Sequence, residues 1–275
     1  PLTVKFFFRK PSVGFLQGTS VIGSGLVSLK TLALPYDALG DATKIIGSGP
    51  FVVASEALGR ELVMTARKDY AWGPAKLAHQ GRANLDGIKY VITSEDSVRI
   101  GALLAGQAQV IRQVQAYDEK QVQSKGFVIY APSTRGINNS VVFRPDNPLV
   151  SDIRVRKALL HAVNTKEIVA TLFSTNYPQA KSIIASTAQG YVDQSAKLAY
   201  DPTLAAKLLD EAGWTMGPKG LRQKDGKELL LTAYESLPQP QNKETLQLVA
   251  QQWAKVGVKL NVLAGDAGSR VADNL

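Results

Sequence analysis

Residues 200–214 read YDPTLAAKLLDEAGW, and they carry the strongest secondary-structure signal of the chain. Asp201 is a residue type that caps helix N-termini, Pro202 fits the first helical position, and Gly213 fits the residue just past the last turn. Apolar residues recur between them at helical spacing, namely Leu204, Ala205, Leu208, Leu209 and Ala212. The stretch therefore predicts an amphipathic helix that packs one face against a core.

A second helix leads directly into a strand near the end of the chain. The helical pattern runs from about Asn242 to Val256, Gly257 ends it, and residues 258–263 (VKLNVL) have strand composition. A helix, a glycine and a strand in this order are typical of proteins that alternate the two elements. Since much of the chain alternates in the same way, the predicted fold class is α/β.

The hydrophobic period predicts further strands and helices. Period-two or β-rich runs predict strands at residues 51–55, 62–66, 88–92, 127–130, 140–144 and 229–234. Capping residues followed by apolar residues at helical spacing predict helices capped by Ser94, by Ser151 or Asp152, and by Thr165. Asp225-Gly226 predicts the tight turn of a hairpin.

The composition is that of a globular protein without cysteine. The 275 residues include 32 Lys and Arg, 23 Asp and Glu, and two His, which gives a net charge of +9. At roughly 150 residues per domain, the length predicts one large or two modest domains. The lack of Cys excludes disulfides, a thiol nucleophile and cysteine-based metal sites. No run reaches the roughly 18 apolar residues of a membrane helix.

Both ends of the chain read like the interior of a domain. Residue 1 is Pro, residues 1–10 (PLTVKFFFRK) have strand character, and residues 264–275 show no closing element. We therefore expect a piece of a longer protein, in which missing targeting information says nothing about compartment.

Several local patterns that resemble catalytic or phosphate sites have structural explanations. Residues 47–51 (GSGPF) lack the following helix of a phosphate loop, and Pro50 removes a donor, so we expect a turn. Glu95-Asp96 fits the first turn of a helix, and Asp210-Glu211 fits an exposed helix end.

The two histidines lie far apart in sequence, which argues against a histidine-built metal site. His161 shares a helix with apolar residues, and we expect it to bond a backbone carbonyl. Ser24 lacks the strand–turn–helix setting of a hydrolase nucleophile. The sequence thus predicts no catalytic residue, no metal and no cofactor.

The basic residues are dispersed rather than gathered on one face with aromatic residues between them, so no nucleic-acid partner is predicted. The densest group, Arg154-Arg156-Lys157, lies on a predicted helix and is interpreted as a solvated helix face. Trp72, Trp214 and Trp253 are interpreted as packing residues.

A lobe boundary is predicted near residues 135–139, which divides the chain into residues 1–135 and residues 136–275. The polar side chains that flank this boundary are Tyr130, Arg135, Asn138 and Asn139. Clefts between lobes bind small ligands, and Arg and Asn side chains hold carboxylate and amide groups. These four residues are the predicted ligand-binding residues, and the alternative is that they only cap a loop.

Several segments together resemble the extracellular solute-binding proteins of family 5, the peptide- and nickel-binding receptors of ABC importers. The similar segments occur in family order, and they include GSGPF at 47–51, KDYAWG at 68–73, RIGALLAG at 99–106, DIRVRKAL at 152–159, NTKEIV at 164–169 and the stretch at 200–214. Gln107-Ala108-Gln109 departs from the family's acidic pair, and Asn164 stands where Asp is usual.

The resemblance implies a type II periplasmic-binding-protein fold, with two lobes joined by a hinge near residues 130–140 and truncated at both ends. It implies capture of a small solute, most simply an oligopeptide or dipeptide, and delivery to the permease subunits of an importer. It also implies a monomer in the periplasm or anchored by lipid outside the cytoplasmic membrane. A later aromatic–acidic strand of the family, which holds the peptide amine, is missing, so this chain alone is expected to bind ligand weakly or not at all.

Two other hypotheses stay open from the sequence. One is a soluble enzyme whose catalytic residues lie outside these 275 residues. The other is a basic nucleic-acid-binding module, which the net positive charge would favour.

Overall fold

A computed structural model describes residues 3–133, 135–235 and 241–264. For residue 22 it describes the backbone only. The chain divides into two compact units, Pro1–Glu95 and Asp96–Leu275. The predicted division between residues 135 and 136 concerns the lobes of a longer protein, and it stays a prediction.

The first unit is built on a three-stranded antiparallel sheet. Its strands are β1 (Phe51–Ala57), β2 (Glu61–Ala66) and β3 (Gly87–Val91), with β2 in the middle. The period-two pattern of the sequence predicts all three strands, and their bounds agree within a few residues.

The residues before this sheet form short helical turns. They are the α-helices α1 (Phe15–Gly18) and α2 (Leu29–Leu32) and the 3-10 turns Ile22–Ser24, Tyr36–Gly40 and Ala42–Lys44. The buried Thr31 links them, since its hydroxyl accepts the Ile46 N–H at 2.9 Å and contacts the Lys44 carbonyl at 3.3 Å.

The second unit contains most of the regular structure. Its helices are α3 (Asp96–Leu104), α4 (Glu119–Ser124), α5 (Ile153–His161), α6 (Thr165–Leu172), α7 (Pro202–Glu211) and α8 (Asn242–Ala254), with a 3-10 turn at Ser195–Leu198. Its strands are β4 (Thr215–Met216), β5 (Arg222–Lys224), β6 (Lys227–Glu228), β7 (Leu230–Tyr234) and β8 (Lys259–Leu263).

The main hydrophobic core lies where α5, α7 and α8 pack around the β7–β8 pair. Its largest fully buried members are Val155, Leu159, Leu209, Leu229 and Val258, and both Trp214 and Trp253 belong to it. A smaller cluster joins Ile100, Leu103 and Val122 of α3 and α4. The apolar stripe that residues 200–214 predict thus faces the core.

Two of the three tryptophans pack as predicted, but Trp72 does not. Its side chain is 51% exposed. The indole N–H donates to the Ser48 carbonyl at 2.8 Å, and the Arg67 guanidinium lies 5.8 Å from the ring centroid. Because the Arg67 side chain also donates to the Gly47 and Gly49 carbonyls at 3.0 Å, the GSGPF segment is a braced turn before β1, as predicted.

Side-chain caps begin several of the described helices. Asp152 accepts the Arg154 N–H at 2.8 Å, and Asp201 accepts the Leu204 N–H at 2.8 Å, which confirms both predicted caps. The prediction of Thr165 as a cap is wrong. Asn164 caps α6 by accepting the Glu167 N–H, and Thr165 is the first helical residue.

The hairpin turn has the backbone that Asp-Gly favours, with φ of 51° at Asp225 and 75° at Gly226. It joins β5 to the short β6, and the chain then enters β7. The predicted strands at 127–130 and 140–144 are not formed in the described part of the chain, since neither segment pairs with another strand there.

The predicted solvated face of α5 is confirmed for Arg154 and Lys157, which are exposed. Arg154 binds the Asp152 carboxylate and donates to the Glu211 carbonyl at 2.6 Å. Arg156 is partly buried and donates to the Val150 and Ser151 carbonyls at 2.7 Å. The spacing of charges in the sequence does not reveal these hydrogen bonds to carbonyl groups.

Candidate functional site

The predicted site residues lie in the segment between α4 and α5. Tyr130 is 91% exposed, and Arg135 and Asn139 are exposed as well. Neither Tyr130 nor Arg135 has a hydrogen bond or ion pair to another residue in the part of the chain that the structure describes. Their side chains are available to a ligand, and the prediction stays a prediction.

Asn138 is held differently from its neighbours. Its backbone N–H donates to the Ile183 carbonyl at 2.9 Å, and its side-chain amide donates to the Ser182 carbonyl at 2.8 Å. An isolated antiparallel bridge joins Ile137 to Ile184. Asn138 therefore fastens two segments together, which supports the loop-capping explanation for this one residue.

The strands β7 and β8 are parallel, and α8 connects them. Parallel strands end at the same edge of a sheet, and in α/β proteins ligands bind outside that carboxyl edge. The Glu235 N–H donates to the Leu263 carbonyl at 3.0 Å just beyond the paired residues. Since α8 follows β7 and precedes β8, its first turn lies at this carboxyl edge.

A polar network meets the first turn of α8. Gln241, which precedes α8 with a φ of 54°, donates from its side chain to the Gln115 amide oxygen at 3.4 Å. Gln115 is 7% exposed and donates to an Asp96 carboxylate oxygen at 2.6 Å. The other Asp96 oxygen accepts a hydrogen bond from Arg99. Amides, a carboxylate and a guanidinium are thus aligned beside the carboxyl edge.

Two further ionisable groups border this network. Burial raises the pKa of the Asp118 carboxyl, and the negative charge of Asp96 raises it further. Burial also raises the pKa of the Tyr117 phenol, and the carboxylates of Asp118, Asp96 and Glu244 act in the same direction. The surroundings of Tyr117 and Asp118 are therefore negative.

The network consists of amide, carboxylate and guanidinium groups that hydrogen-bond to one another, and neither histidine belongs to it. His79 bonds the Arg82 carbonyl at 2.7 Å through Nε2, and His161 bonds the Ala199 carbonyl at 2.7 Å through Nδ1, as predicted. In residues 3–133, 135–235 and 241–264, no group of three or more His, Cys, Asp or Glu is placed to hold a metal ion.

No helix in the described part of the chain has the length and apolar composition needed to cross a membrane.

Comparison with known proteins identifies the family. The sequence profile of the bacterial extracellular solute-binding proteins, family 5 (middle) matches residues 1–274. The chain belongs to this family. Its segments at 47–51, 99–106, 152–159 and 200–214, which resemble the family's motifs, all lie within the match.

The family 5 chain is similar to binding proteins of several bacteria. It is 26% identical over 272 residues to the dipeptide-binding protein of Escherichia coli K12, a match that covers 97% of this chain and 48% of that protein. It is 28% identical over 217 residues to the haem-binding protein A of Haemophilus influenzae, covering 78% and 37% respectively. The chain thus spans less than half of the length of either relative.

A solved structure confirms the fold class. Lactococcal OppA, complexed with an endogenous peptide in the closed conformation, matches with a TM-score of 0.62 and 25% identity, over 83% of this chain and 44% of OppA. Structures of this kind are type II periplasmic binding proteins, and the family 5 chain has part of that mixed α/β fold.

The polar network at the first turn of α8 was not predicted from the sequence. Asp96 was interpreted as first-turn helix charge, and Gln115 and Gln241 carry no motif. The β–α–β order around α8 is the sequence feature that could have pointed to this site, because it predicts which end of the strands faces a ligand.

Proposed function

We propose that the protein containing this chain captures peptides outside the cytoplasmic membrane and passes them to an ABC importer, without making or breaking a bond. The observation that carries the proposal is the family match over residues 1–274. The E. coli relative is a dipeptide-binding protein and the lactococcal structure holds a peptide, which supports a peptide ligand.

The chemistry of the candidate site also favours a peptide. The partly exposed Gln241 has an amide that can donate and accept hydrogen bonds, as a peptide backbone does. The predicted residues Arg135 and Asn139 add a carboxylate-binding group and a further amide. Exposed Tyr130 supplies a flat apolar surface for a ligand side chain.

The proposed partners are the permease subunits of the importer. We propose a periplasmic or lipid-anchored monomer, in agreement with the extracellular description of the family. Ligand capture would shift an equilibrium between open and closed forms by the difference in ligand affinity between the two forms.

The two competing hypotheses receive less support. An enzyme whose catalytic residues lie outside these 275 residues is less well supported because the relatives from E. coli and H. influenzae are named as binding proteins. A nucleic-acid surface usually gathers basic residues on one face with aromatic residues between them, whereas the basic residues of this chain are dispersed in the sequence. A filter-binding assay across salt concentration would reveal the second function as a steep loss of affinity with added salt.

The deciding experiment is mass spectrometry of the ligand that co-purifies with the full-length protein. We expect short peptides, and the 275-residue chain purified in parallel should retain little or none. If haem or a metal chelate co-purifies instead of peptide, the protein binds that class of ligand, and the peptide assignment is wrong. An unliganded protein that also fails to bind a mixed tripeptide library by calorimetry would contradict the proposal.

Substitutions in the full-length protein test the predicted site residues. We expect Arg135→Ala and Asn139→Ala to weaken peptide binding by about tenfold each, because each removes a charged or polar ligand contact. Arg135→Ala should leave thermal stability unchanged, because Arg135 is exposed. Asn138→Ala should instead lower the melting temperature, because Asn138 links two segments. Unchanged affinity in the first two variants would remove them from the site.

A further inference from the structure

A small cleft lies between α3 and the start of α4, next to the polar network. Its volume is about 270 Å³, and Ile100, Gly101 and Leu104 line one side. Tyr117 and Asp118 line the other. Because Ile100 belongs to the smaller hydrophobic cluster, the cleft has an apolar base that rests on a packed core.

Gly101 leaves this cleft open. It lies in the middle of α3, where glycine is less favourable than alanine because it costs more backbone entropy on folding. Packing does not require it, since a Cβ built at Gly101 would meet no heavy atom within 4 Å outside its own neighbourhood. The missing side chain therefore makes room beside Ile100 and Leu104 rather than relieving a clash.

Asp118 gives the cleft a carboxylate that is not used for capping. It occupies the residue before α4, but its side chain accepts no hydrogen bond from the helix. No other donor in the described residues hydrogen-bonds to it either. A carboxylate that is partly removed from water and has no donor is stabilised by a cation.

Most of the charges that act on Tyr117, at one side of the cleft, are negative. Asp96, Asp118 and Glu244 all act on Tyr117, and Arg99 is the opposing charge. Arg99 is itself paired with Asp96. The cleft therefore lies in a negative field, and the face of the Tyr117 ring adds a further attraction for cations.

We propose that this cleft binds a small organic ammonium compound, with its alkyl or aryl body against Ile100, Gly101 and Leu104 and its ammonium group at Asp118. The site is separate from the predicted peptide-binding residues. It does not depend on the proposed transport function, and the two can fail independently.

The test is a titration of the 275-residue chain with phenethylamine, followed by nuclear magnetic resonance chemical shifts. We expect shifts at residues of α3 and at Tyr117 and Asp118. The neutral alcohol 2-phenylethanol has a similar shape and should bind about tenfold more weakly, since it lacks the charge-assisted hydrogen bond. Equal binding of amine and alcohol would overturn the cation assignment, and the absence of shifts with either would overturn the site.

Two variants and two controls locate the binding. Gly101→Leu fills the cleft and should abolish binding, whereas Gly101→Ala should keep most of it. Asp118→Asn should lower amine affinity to that of the alcohol. Asp225→Asn is the charge control, because it removes an exposed carboxylate at a left-handed turn position that Asn accepts. Unchanged amine affinity in Gly101→Leu or Asp118→Asn would contradict the proposal.

Discussion

The Arg222 guanidinium is nearly enclosed, with 3% of the residue exposed, and it donates to the Val256 carbonyl at 2.8 Å and the Trp214 carbonyl at 2.5 Å. Replacing it with Met leaves two buried carbonyls without a donor, at a cost of about 1–3 kcal/mol each. We expect Arg222→Met to lower the free energy of unfolding by about 3 kcal/mol, as measured in urea.

The control is Asp210→Asn, since Asp210 forms an ion pair with Arg222 but is itself mostly exposed. Asn keeps a side-chain oxygen that can accept from Arg222, and Asp210 is mostly exposed, so this variant should lose clearly less stability than Arg222→Met. Equal losses in the two variants would mean that the ion pair, rather than the carbonyl bonds, supplies the stability.

The Asp152 carboxylate should make the stability of the folded protein depend on pH. Hydrogen bonds from the Arg154 side chain and backbone N–H lower its pKa from 3.8 to about 2. A lowered pKa in the folded state stabilises the protein above the unfolded pKa, and this contribution is lost as the pH falls through the folded value. Asp152→Asn keeps a capping residue but removes the charge, so its melting temperature should be lower at neutral pH. The difference should shrink between pH 3.8 and about 2. A difference that is independent of pH would contradict the assignment.

At the scale of elements, α7 tests how far a cap supports a helix. Asp201 accepts the Leu204 N–H, and Pro202 fixes the first helical residue. Asp201→Ala removes the acceptor and should lower the free energy of unfolding by about 1 kcal/mol. Asp201→Ser keeps an acceptor and should retain most of the stability that the cap contributes. Equal unfolding midpoints in urea for Ala and Ser would show that Pro202 and core packing define this helix without the cap.

The elements that the sequence predicts correctly depend on contacts between near neighbours. Asp152 and Asp201 cap helices through N–H groups two or three residues away, and the Asp225-Gly226 turn needs only its own dihedral angles. The segments 127–130 and 140–144 have strand composition, but a strand also needs a partner, which their own residues do not encode. The cap of α6 was misplaced by one residue because Asn164 and Thr165 are both capping types.

The candidate site was predicted only in part for the same physical reason. The exposure of Tyr130, Arg135 and Asn139 fits a polar boundary segment. The hydrogen bond between Gln115 and Gln241 spans 126 positions, and no local pattern relates the two residues.

At the scale of the whole molecule, burial differs between the two units. Every buried hydrophobic side chain in the described part of the chain belongs to Asp96–Leu275, and the first unit buries only the polar Thr31. Burial of apolar surface is the main stabilising contribution to folding. The free energy needed to unfold the first unit locally should therefore be lower than that of the second unit. We expect hydrogen exchange to be fast in β1, β2 and β3 and slow in α5, α7 and β7.

The same measurement tests the predicted boundary at residues 135 and 136. The residues between 96 and 133 include α3, α4 and the smaller cluster of Ile100, Leu103 and Val122, which is separate from the main core. If these residues belong to the more stable unit, the amides of α3 should be protected like those of α5, and adding mild urea should expose β1–β3 first. Exchange of α3 together with β1–β3 would instead place the cooperative boundary near residue 135. Equal protection throughout the chain would contradict the division, because it would mean that a unit without a buried apolar core is as stable as the one that contains both clusters.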